Sequence, residues 1–481
     1  MNESYDILII GAGPAGVTAA LHASELGAQV AVVDRLRTGG TCTNTGCVPT
    51  RVLAKTARLL RDIRGAGAYG VEVSPPVLNW SRTSARIRKV VATMHDTKRD
   101  EDRIIAAGGK LFLEGNAAFV SPHEVRLADS KRLLAAKKII VCVGGRSRRL
   151  PIPGIEHAIF PEKVLDLEAL PRSVVIVGSG YTGVQLATVM NAFGKEVTLL
   201  ETKADVLPEA DHSVSQTLND SLQRQGIKVQ TGIDGVERIE RRPDGTCELS
   251  YTANGETDSI TCDAVIVCAG WPAAVEGLAL EQAGVEVEGG FLKVNEYLQT
   301  NVPHIYAAGD VNGEAMLVQG AHFEAVAAVE NALYPQPLRP FSHSVLPTGG
   351  FTDPEHAGVG LTEKQARERY PDCLVAVAKY SELERAIIDN RTEGFFKLIV
   401  DRKTCCVIGA HAAGENAVEI IQAIAIAMVA GIKSSALGGV ELSYPTYSAI
   451  IGLASRQLIP QVHQVELGRQ DVSRSFTATT A

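Results

Sequence analysis

The 481-residue sequence has no apolar run long enough to cross a bilayer. Its longest apolar stretch, near Ile420–Ile432, is interrupted by Gln422 and falls short of the roughly 20 residues that a span requires. There is no polybasic run either. The net charge is −8 and the basic residues are scattered, which argues against nucleic acid and membrane surfaces as partners. The N-terminus, MNESYDILIIGAG, lacks the basic start and long apolar core of a signal peptide, so a cytoplasmic protein is expected. An even cysteine framework is missing as well. Nine cysteines in a chain of this size read mostly as small buried hydrophobes, and any disulfide that forms reads as catalytic or regulatory. With 45% apolar and 21% charged residues, the composition is that of a globular protein of two to four domains.

What is present is a repeated pattern. Asp6–Ile10 is a short apolar, β-rich run followed by Gly11, Gly13 and Gly16, a helical stretch, and a second apolar run, Val30–Val33, ending at Asp34. Ser173–Val177 begins the same series again, with Gly178, Gly180 and Gly183, a helical stretch, and Glu196–Leu200 ending at Glu201. Strand, glycine turn, helix, strand and terminal acid make up the dinucleotide-binding βαβ unit. The first glycine allows a tight turn, the second lets the backbone approach a pyrophosphate, and the third permits close helix–strand packing. The helix N-terminus offers free N–H groups to phosphates, and the acid suits a ribose hydroxyl. Two units imply two dinucleotides. A carboxylate at Glu201 repels a 2′-phosphate, which favours NADH over NADPH, although Lys203 is close enough to offset it.

Between the units, residues 50–107 read as mostly helical, broken at Gly65–Gly70 and Pro75–Pro76, and residues 110–140 read as β-rich. From about Pro335 the character changes to α+β. Strands are expected at Leu374–Tyr380, Phe395–Val400 and Cys406–Gly409, and an apolar helix at Ala417–Val429. The segment Gly39–Arg51 (GGTCTNTGCVPTR) places Cys42 and Cys47 five apart, just after the first βαβ unit. If one helix begins here, both thiols lie near its N-terminal end, where the thiolate is favoured.

These motifs, in this order, resemble the class I flavoprotein pyridine nucleotide-disulfide oxidoreductases, such as dihydrolipoamide dehydrogenase, glutathione reductase and mercuric reductase, over nearly the whole chain. The resemblance implies an α/β fold with two Rossmann-like dinucleotide-binding domains plus a C-terminal α+β dimerisation domain. Residues 1–150 and 272–345 would bind FAD, residues 151–271 NAD(P)H, and residues 346–481 would form the interface of a homodimer. Gly11, Gly13, Gly16, Asp34, Thr41 and Asp310 (in TNVPHIYAAGD) would hold FAD, and Gly178, Gly180, Gly183, Gln185 and Glu201 the nicotinamide nucleotide. Cys47 would lie nearest the flavin and Cys42 would exchange with substrate. Tyr181 would cover the nicotinamide pocket, and Arg51 would lie beside the flavin with Gln185.

The sequence also departs from the family. A His-Pro-Thr…Ser-Glu segment usually supplies the acid/base for thiol exchange, and here it reads Tyr444-Pro445-Thr446 with Ala449 in place of the glutamate. A phenol with an ordinary pKa of about 10 is a poor base at neutral pH, so turnover of lipoamide or glutathione disulfide is doubtful. Mercuric reductases place a tyrosine near this position, which makes a soft metal a plausible acceptor. Their terminal cysteine pair is missing, and Cys405–Cys406 reads as packing. The usual lysine–glutamate pair beside the flavin reads Arg51 and Gln185, and Trp271-Pro272 replaces Arg-Pro. Two other readings keep the flavin: direct reduction of quinones or dyes at its edge, and a redox-sensing partner protein. His304, His322, His343, His356 and His411 read as surface or structural. Residues 86–98 and 364–369 read as solvated helix faces, and Met316-Leu317 reads as flavin-side packing in a helix.

Overall fold

Glu3–Ile10 (β1) opens the described structure, a computed structural model that covers residues 3–334 and 339–461. Ile7, Leu8 and Ile9 are fully buried, as in a parallel strand covered on both faces. Pro14–Glu25 (α1) starts with a proline whose missing N–H costs nothing at that position. Val30–Val33 (β2) returns parallel to β1, pairing Ile7 with Val30 and Ile10 with Val33. Next come Gly40–Asn44 (α2), Cys47–Arg64 (α3), Trp80–Lys98 (α4) and Asp100–Ala106 (α5). The helical stretch breaks where expected, with a single 3-10 turn at Ala66–Tyr69. Asn79 then starts α4, its side chain accepting the Arg82 N–H. Lys110–Phe112 (β3), Ala117–Ser121 (β4), Glu124–Leu127 (β5) and Leu133–Val141 (β6) make up the β-rich piece.

Ser173–Val177 (β7), Tyr181–Ala192 (α6), Glu196–Leu200 (β8), His212–Arg224 (α7) and Lys228–Gln230 (β9) repeat the opening pattern, with β7 and β8 parallel. Gly235–Arg241 (β10), Cys247–Ala253 (β11) and Glu256–Cys262 (β12) form an antiparallel sheet. Asn254-Gly255 closes its last hairpin with both residues at positive φ, the turn whose twist suits a two-residue loop. Ala264–Val267 (β13) lies beside β7. Val287–Glu288 (β14) and Phe291–Leu292 (β15) form a small hairpin, Ile305–Ala307 (β16) pairs parallel with β6, and Val318–Leu333 (α8) follows.

The chain ends in Thr348–Gly350 (β17), His356–Gly360 (β18), Glu363–Arg369 (α9), Leu374–Lys379 (β19), Glu384–Ile388 (α10), Phe395–Val400 (β20), Val407–Ala413 (β21), Ala417–Val429 (α11), Ser434–Gly438 (α12) and a helix over residues 449–461. The strand expected from Cys406 begins at Val407, because Cys405 takes a left-handed conformation. Met316 and Leu317 precede α8 instead of lying within it. Leu317 has extended backbone at the N-cap and Met316 is exposed, so the pair is not packed in a helix as the sequence suggested.

Two compact units result. The first comprises Met1–Thr56, Gly70–Pro171 and Ile266–Ser344. Its seven-stranded sheet runs β3-β2-β1-β6-β5-β4, with β16 also on β6. Alternate residues of β1 feed two apolar clusters. Leu8 and Ile10 join Phe119 and Leu134 in one, and Ile7 and Ile9 join α1 and α8 in the other. The second unit comprises Ala57–Tyr69, Arg172–Val265 and Val345–Ala481. It holds the β13-β7-β8-β9 sheet, the β10–β12 sheet and the five-stranded sheet β17-β18-β21-β20-β19. Ile420, Ile421 and Ile424 of α11 are buried in the core of the last. A buried cation, Lys397, is fully met there by Asp211 at 2.8 Å, Glu363 at 2.7 Å and the Ser213 hydroxyl at 2.8 Å. Complete pairing is what makes such a charge tolerable in a core. Among the described residues no helix is long and apolar enough to cross a membrane.

Candidate active site

The first glycine loop is built so that side chains cannot enter it. Gly11 has φ 105°, and a Cβ there would fall 2.4 Å from the Cys142 carbonyl oxygen. A Cβ on Gly16 would fall 1.8 Å from the Gly11 carbonyl oxygen. No side chain caps α1, so its first-turn N–H groups face the loop. Asp34 accepts the Ala12 N–H at 2.8 Å and the Leu36 N–H at 3.1 Å. A carboxylate offers about four lone-pair sites, so two remain for a ribose. A glycine cradle, an uncapped helix N-terminus and a half-filled carboxylate fit the adenosine pyrophosphate of FAD.

The cysteine loop is tied to this cradle. Gly39 donates its N–H to Ala12 O at 2.8 Å, and Gly40 approaches so closely that a Cβ on it would lie 2.8 Å from Gly13 Cα. From there α2 carries Thr41 and Cys42, then stops. The Thr45 and Gly46 N–H groups both return to Thr41 O, at 2.9 and 2.6 Å. That double return turns the chain, and a second helix, α3, starts at Cys47. The sequence suggested a single helix with both thiols at its N-terminal end. Instead only Cys47 occupies the start of a long helix, and Cys42 sits in a five-residue helix of its own.

The structure holds the two cysteines in their reduced form, hydrogen-bonded to each other. The Cys42 S–H donates to the Cys47 sulfur. That bond brings Cys47, which is exposed, down to about 7, while Cys42, which is half-buried, is pushed well above its ordinary value by the same bond and by burial. The helix N-terminus acts on Cys47 in the same sense. The pair therefore titrates as a unit, with its first negative charge on Cys47.

The surroundings are charged. Lys98 donates to the Thr43 hydroxyl at 3.1 Å, and His95 Nε2 donates to Asn44 Oδ1 at 2.9 Å. Both come from the last turn of α4, which the sequence marked as a solvated face. Residues about 50 apart in sequence meet here, and helical periodicity alone carries no signal for that. Asp310 is pushed up to about 6, first by burial and then by the charge of Glu324. Glu324 is fully buried. It accepts the Gly309 N–H at 2.7 Å and Asn312 Nδ2 at 2.8 Å, and His343 Nε2 donates to it at 2.7 Å. His343 is thus structural, as expected, and Glu324 is the residue that the sequence reading missed.

In the second unit, Gly178 has φ 99° and Gly180 starts α6. Tyr181 stacks on His356 with ring centroids 5.6 Å apart. Burial raises the Tyr181 phenol and pushes His356 down to about 4. The Gln185 amide is occupied at both ends, donating to Tyr181 O at 3.0 Å and accepting the Phe351 N–H at 3.2 Å. Gly183 is buried within α6. Glu201 accepts four bonds: Ser179 N–H at 2.7 Å, Ser179 Oγ at 2.8 Å, Lys203 N–H at 2.9 Å and Thr202 Oγ1 at 3.3 Å. Arg51 lies on the exposed side of α3, and Tyr444 is 75% exposed. Cys405 is buried and Cys406 half-buried, with their thiols directed at backbone carbonyls 3.8 Å away. No cluster of three or more metal-ligating side chains occurs among the described residues.

Residues 5–325 match the family model described as pyridine nucleotide-disulphide oxidoreductase, and residues 346–455 match that family's dimerisation domain. A dihydrolipoyl dehydrogenase of Bacillus subtilis is 30% identical over 95% of this chain and 98% of its own. A glutathione reductase of Nostoc is 33% identical over 90% and 95%, and a mercuric reductase of Lysinibacillus sphaericus 31% identical over 94% and 82%. Among solved structures, the Cu(II) complex of the HOCl-induced flavoprotein disulfide reductase RclA of Escherichia coli superposes with a TM-score of 0.83. It is 27% identical and covers 95% of this chain and 100% of its own. The family is one of enzymes that use FAD and NAD(P)H, and this chain belongs to it: it is a pyridine nucleotide-disulphide oxidoreductase.

Proposed function

We propose that this enzyme uses NAD(P)H, with a preference for NADH, to keep the Cys42–Cys47 pair reduced, and that the pair delivers its electrons to a thiophilic acceptor, with a soft metal ion favoured. The observation that carries this reading is the anchoring of the cysteine loop on the first dinucleotide cradle, through the Gly39–Ala12 hydrogen bond and the Gly40–Gly13 contact. Bound FAD supplies the two-electron exchange between NAD(P)H and the cysteines. Gly11, Gly13, Gly16, Asp34, Thr41 and Asp310 hold it in the first unit. Gly178, Gly180 and Gly183 hold the nicotinamide nucleotide in the second, with Tyr181 over its ring, while Glu201, whose four acceptor sites are taken within the loop, acts by its charge against a 2′-phosphate.

Cys47, the thiol whose charge forms first, is the one that faces the flavin, and Cys42 meets the acceptor. Oxidation of the dithiol to the disulfide releases two protons and two electrons. Two electrons reduce one divalent mercury to the metal, or two divalent copper ions to monovalent ones. Neither reduction needs a histidine to protonate a departing thiolate, which is why Tyr444 suits a metal better than a disulfide. The likeness to a mercuric reductase and to a Cu(II)-bound reductase supports the same class. The match to a dimerisation domain supports a homodimer, as do the exposed side chains of Ile426 (68%) and Val429 (74%) on α11. In the dimer, Tyr444 of one subunit faces the cysteines of the other.

The test is NADH oxidation against mercuric and cupric ions, lipoamide, glutathione disulfide and a quinone. The account predicts turnover with the metals and loss of that turnover in Cys47→Ser, together with loss of the long-wavelength band expected from a thiolate against the flavin. A Cys42→Ala protein that still reduces quinones at the wild-type rate, in an enzyme inactive on metals, would point to chemistry at the flavin edge.

A further inference from the structure

The loop between the two cysteines is held from outside. Thr43 and Asn44 lie inside the Cys42–Cys47 ring, and each takes one hydrogen bond from α4, Lys98 to Thr43 at 3.1 Å and His95 to Asn44 at 2.9 Å. Asn44 also donates to Thr38 O at 3.1 Å and Gly40 O at 2.8 Å, so its amide is bonded on both sides. His95 and Lys98 are three apart, hence on one face of the last turn. Thr43 is 1% exposed and does not need a lysine to be shielded from water. The Lys98 side chain thus brings a cation to a buried hydroxyl next to Cys42.

We propose that the last turn of α4 is a positioning element for the cysteine pair, with His95 fixing the loop and the Lys98 ammonium stabilising the reduced pair against the disulfide. This rests on the electron route above. The reason is charge. The disulfide is neutral, whereas the reduced pair carries a negative charge once Cys47 ionises. A nearby cation lowers the energy of the reduced form only. Facing the thiols are Lys98, which favours that charge, and Asp310, which opposes it. Around His95 the charges of Asp100 and Glu101 oppose those of Arg37 and Lys98, and on His322 Asp100 opposes Lys98. Lys98 itself is exposed, so its effect is screened by water and salt.

The experiment equilibrates the FAD-bound enzyme with mixtures of reduced and oxidised glutathione and counts free Cys42 and Cys47 by alkylation and mass spectrometry. In Lys98→Met at low salt the ratio of dithiol to disulfide is expected to fall roughly threefold, whereas Lys98→Arg keeps the wild-type ratio. The gap should close by about 1 M salt, where charges are screened beyond roughly 3 Å. His95→Gln keeps an N–H donor and should match wild type, whereas His95→Leu should loosen the loop and raise its hydrogen-exchange rate. An unchanged ratio in a Lys98→Met protein with normal flavin content overturns the proposal. If Lys98→Met does not fold, a wild-type ratio that stays flat from low to high salt overturns it. If the wild-type pair exchanges with glutathione but not with NADH, the electron route fails while the role of Lys98 is still read out.

Discussion

The molecule contains the same nucleotide cradle twice, and the two copies agree almost bond for bond. Gly11 N–H meets Val33 O at 2.7 Å, and Gly178 N–H meets Leu200 O at 2.8 Å. Asp34 N–H reaches Phe112 O at 3.0 Å, and Glu201 N–H reaches Gln230 O at 2.9 Å. Each acid then accepts the N–H of the second loop residue and the N–H two residues beyond itself. They differ in what is attached. Beside the first loop the chain folds back at Gly39–Gly40 and brings in the cysteines, and its acid keeps two acceptor sites open. In the second loop nothing lies within 4 Å of a Cβ on Gly180, and the acid is filled by two hydroxyls besides its two N–H donors. One backbone template thus carries two different surroundings, and the contrast fits the proposal that the first site keeps FAD while the nicotinamide nucleotide comes and goes at the second.

The largest expected effect comes from breaking this symmetry with one methyl group. Gly16→Ala pushes a Cβ against the Gly11 carbonyl, where only backbone could yield, and should cost about 3 kcal/mol or more together with most of the bound FAD. Gly180→Ala, at φ −66° in open space, should leave the melting temperature and flavin content unchanged and raise the KM for NADH. Thermal melts and flavin absorbance per chain separate the two. Next in size, Glu201→Gln leaves buried donors around Ser179 unmet, at roughly 1–3 kcal/mol, and should narrow the gap between NADH and NADPH in kcat/KM. An unaltered cofactor ratio would remove Glu201 from the selectivity argument.

Asp310 sharpens the comparison through pH. Its folded pKa of about 6 lies above its ordinary value of 3.8, so it favours folding below about pH 4 and that contribution is lost as pH rises through 6. Asp310→Asn should therefore stabilise the FAD-free protein at pH 8 by up to about 3 kcal/mol, and the gain should vanish towards pH 4. Melting curves across that range check the sign. The smallest effect is expected from Ser179→Ala, which gives the second loop the alanine that the first has at Ala12. Freeing one acceptor site on Glu201 should cost about 1 kcal/mol in stability and lower the KM for NADH about twofold.

Much of this architecture is legible in the sequence, because local rules and the fold agree there. Val30–Val33, Ser173–Val177, Glu196–Leu200, Phe395–Val400 and Ala417–Val429 fall where their apolar patterns place them. Both glycine loops and both acids follow from spacing alone. What escapes is non-local. The break between α2 and α3 depends on the Thr41 carbonyl taking two N–H groups, a choice that no periodicity signals. The Lys98–Thr43 and Glu324–Gly309 contacts depend on tertiary packing of α4 and α8, and Met316 lies outside its helix because Leu317, not Met316, takes the N-cap. The replacement of arginine by Trp271 has no explanation in the structure.

The central claim is that nicotinamide electrons reach Cys42 and Cys47. Its most direct test is to trap the thiols of the FAD-bound enzyme with N-ethylmaleimide, before and after anaerobic NADH, and to read peptides 42 and 47 by mass spectrometry. The account predicts a linked pair in air and two alkylated cysteines after NADH. A pair that is already alkylated in air, or still linked once NADH has been consumed, contradicts it.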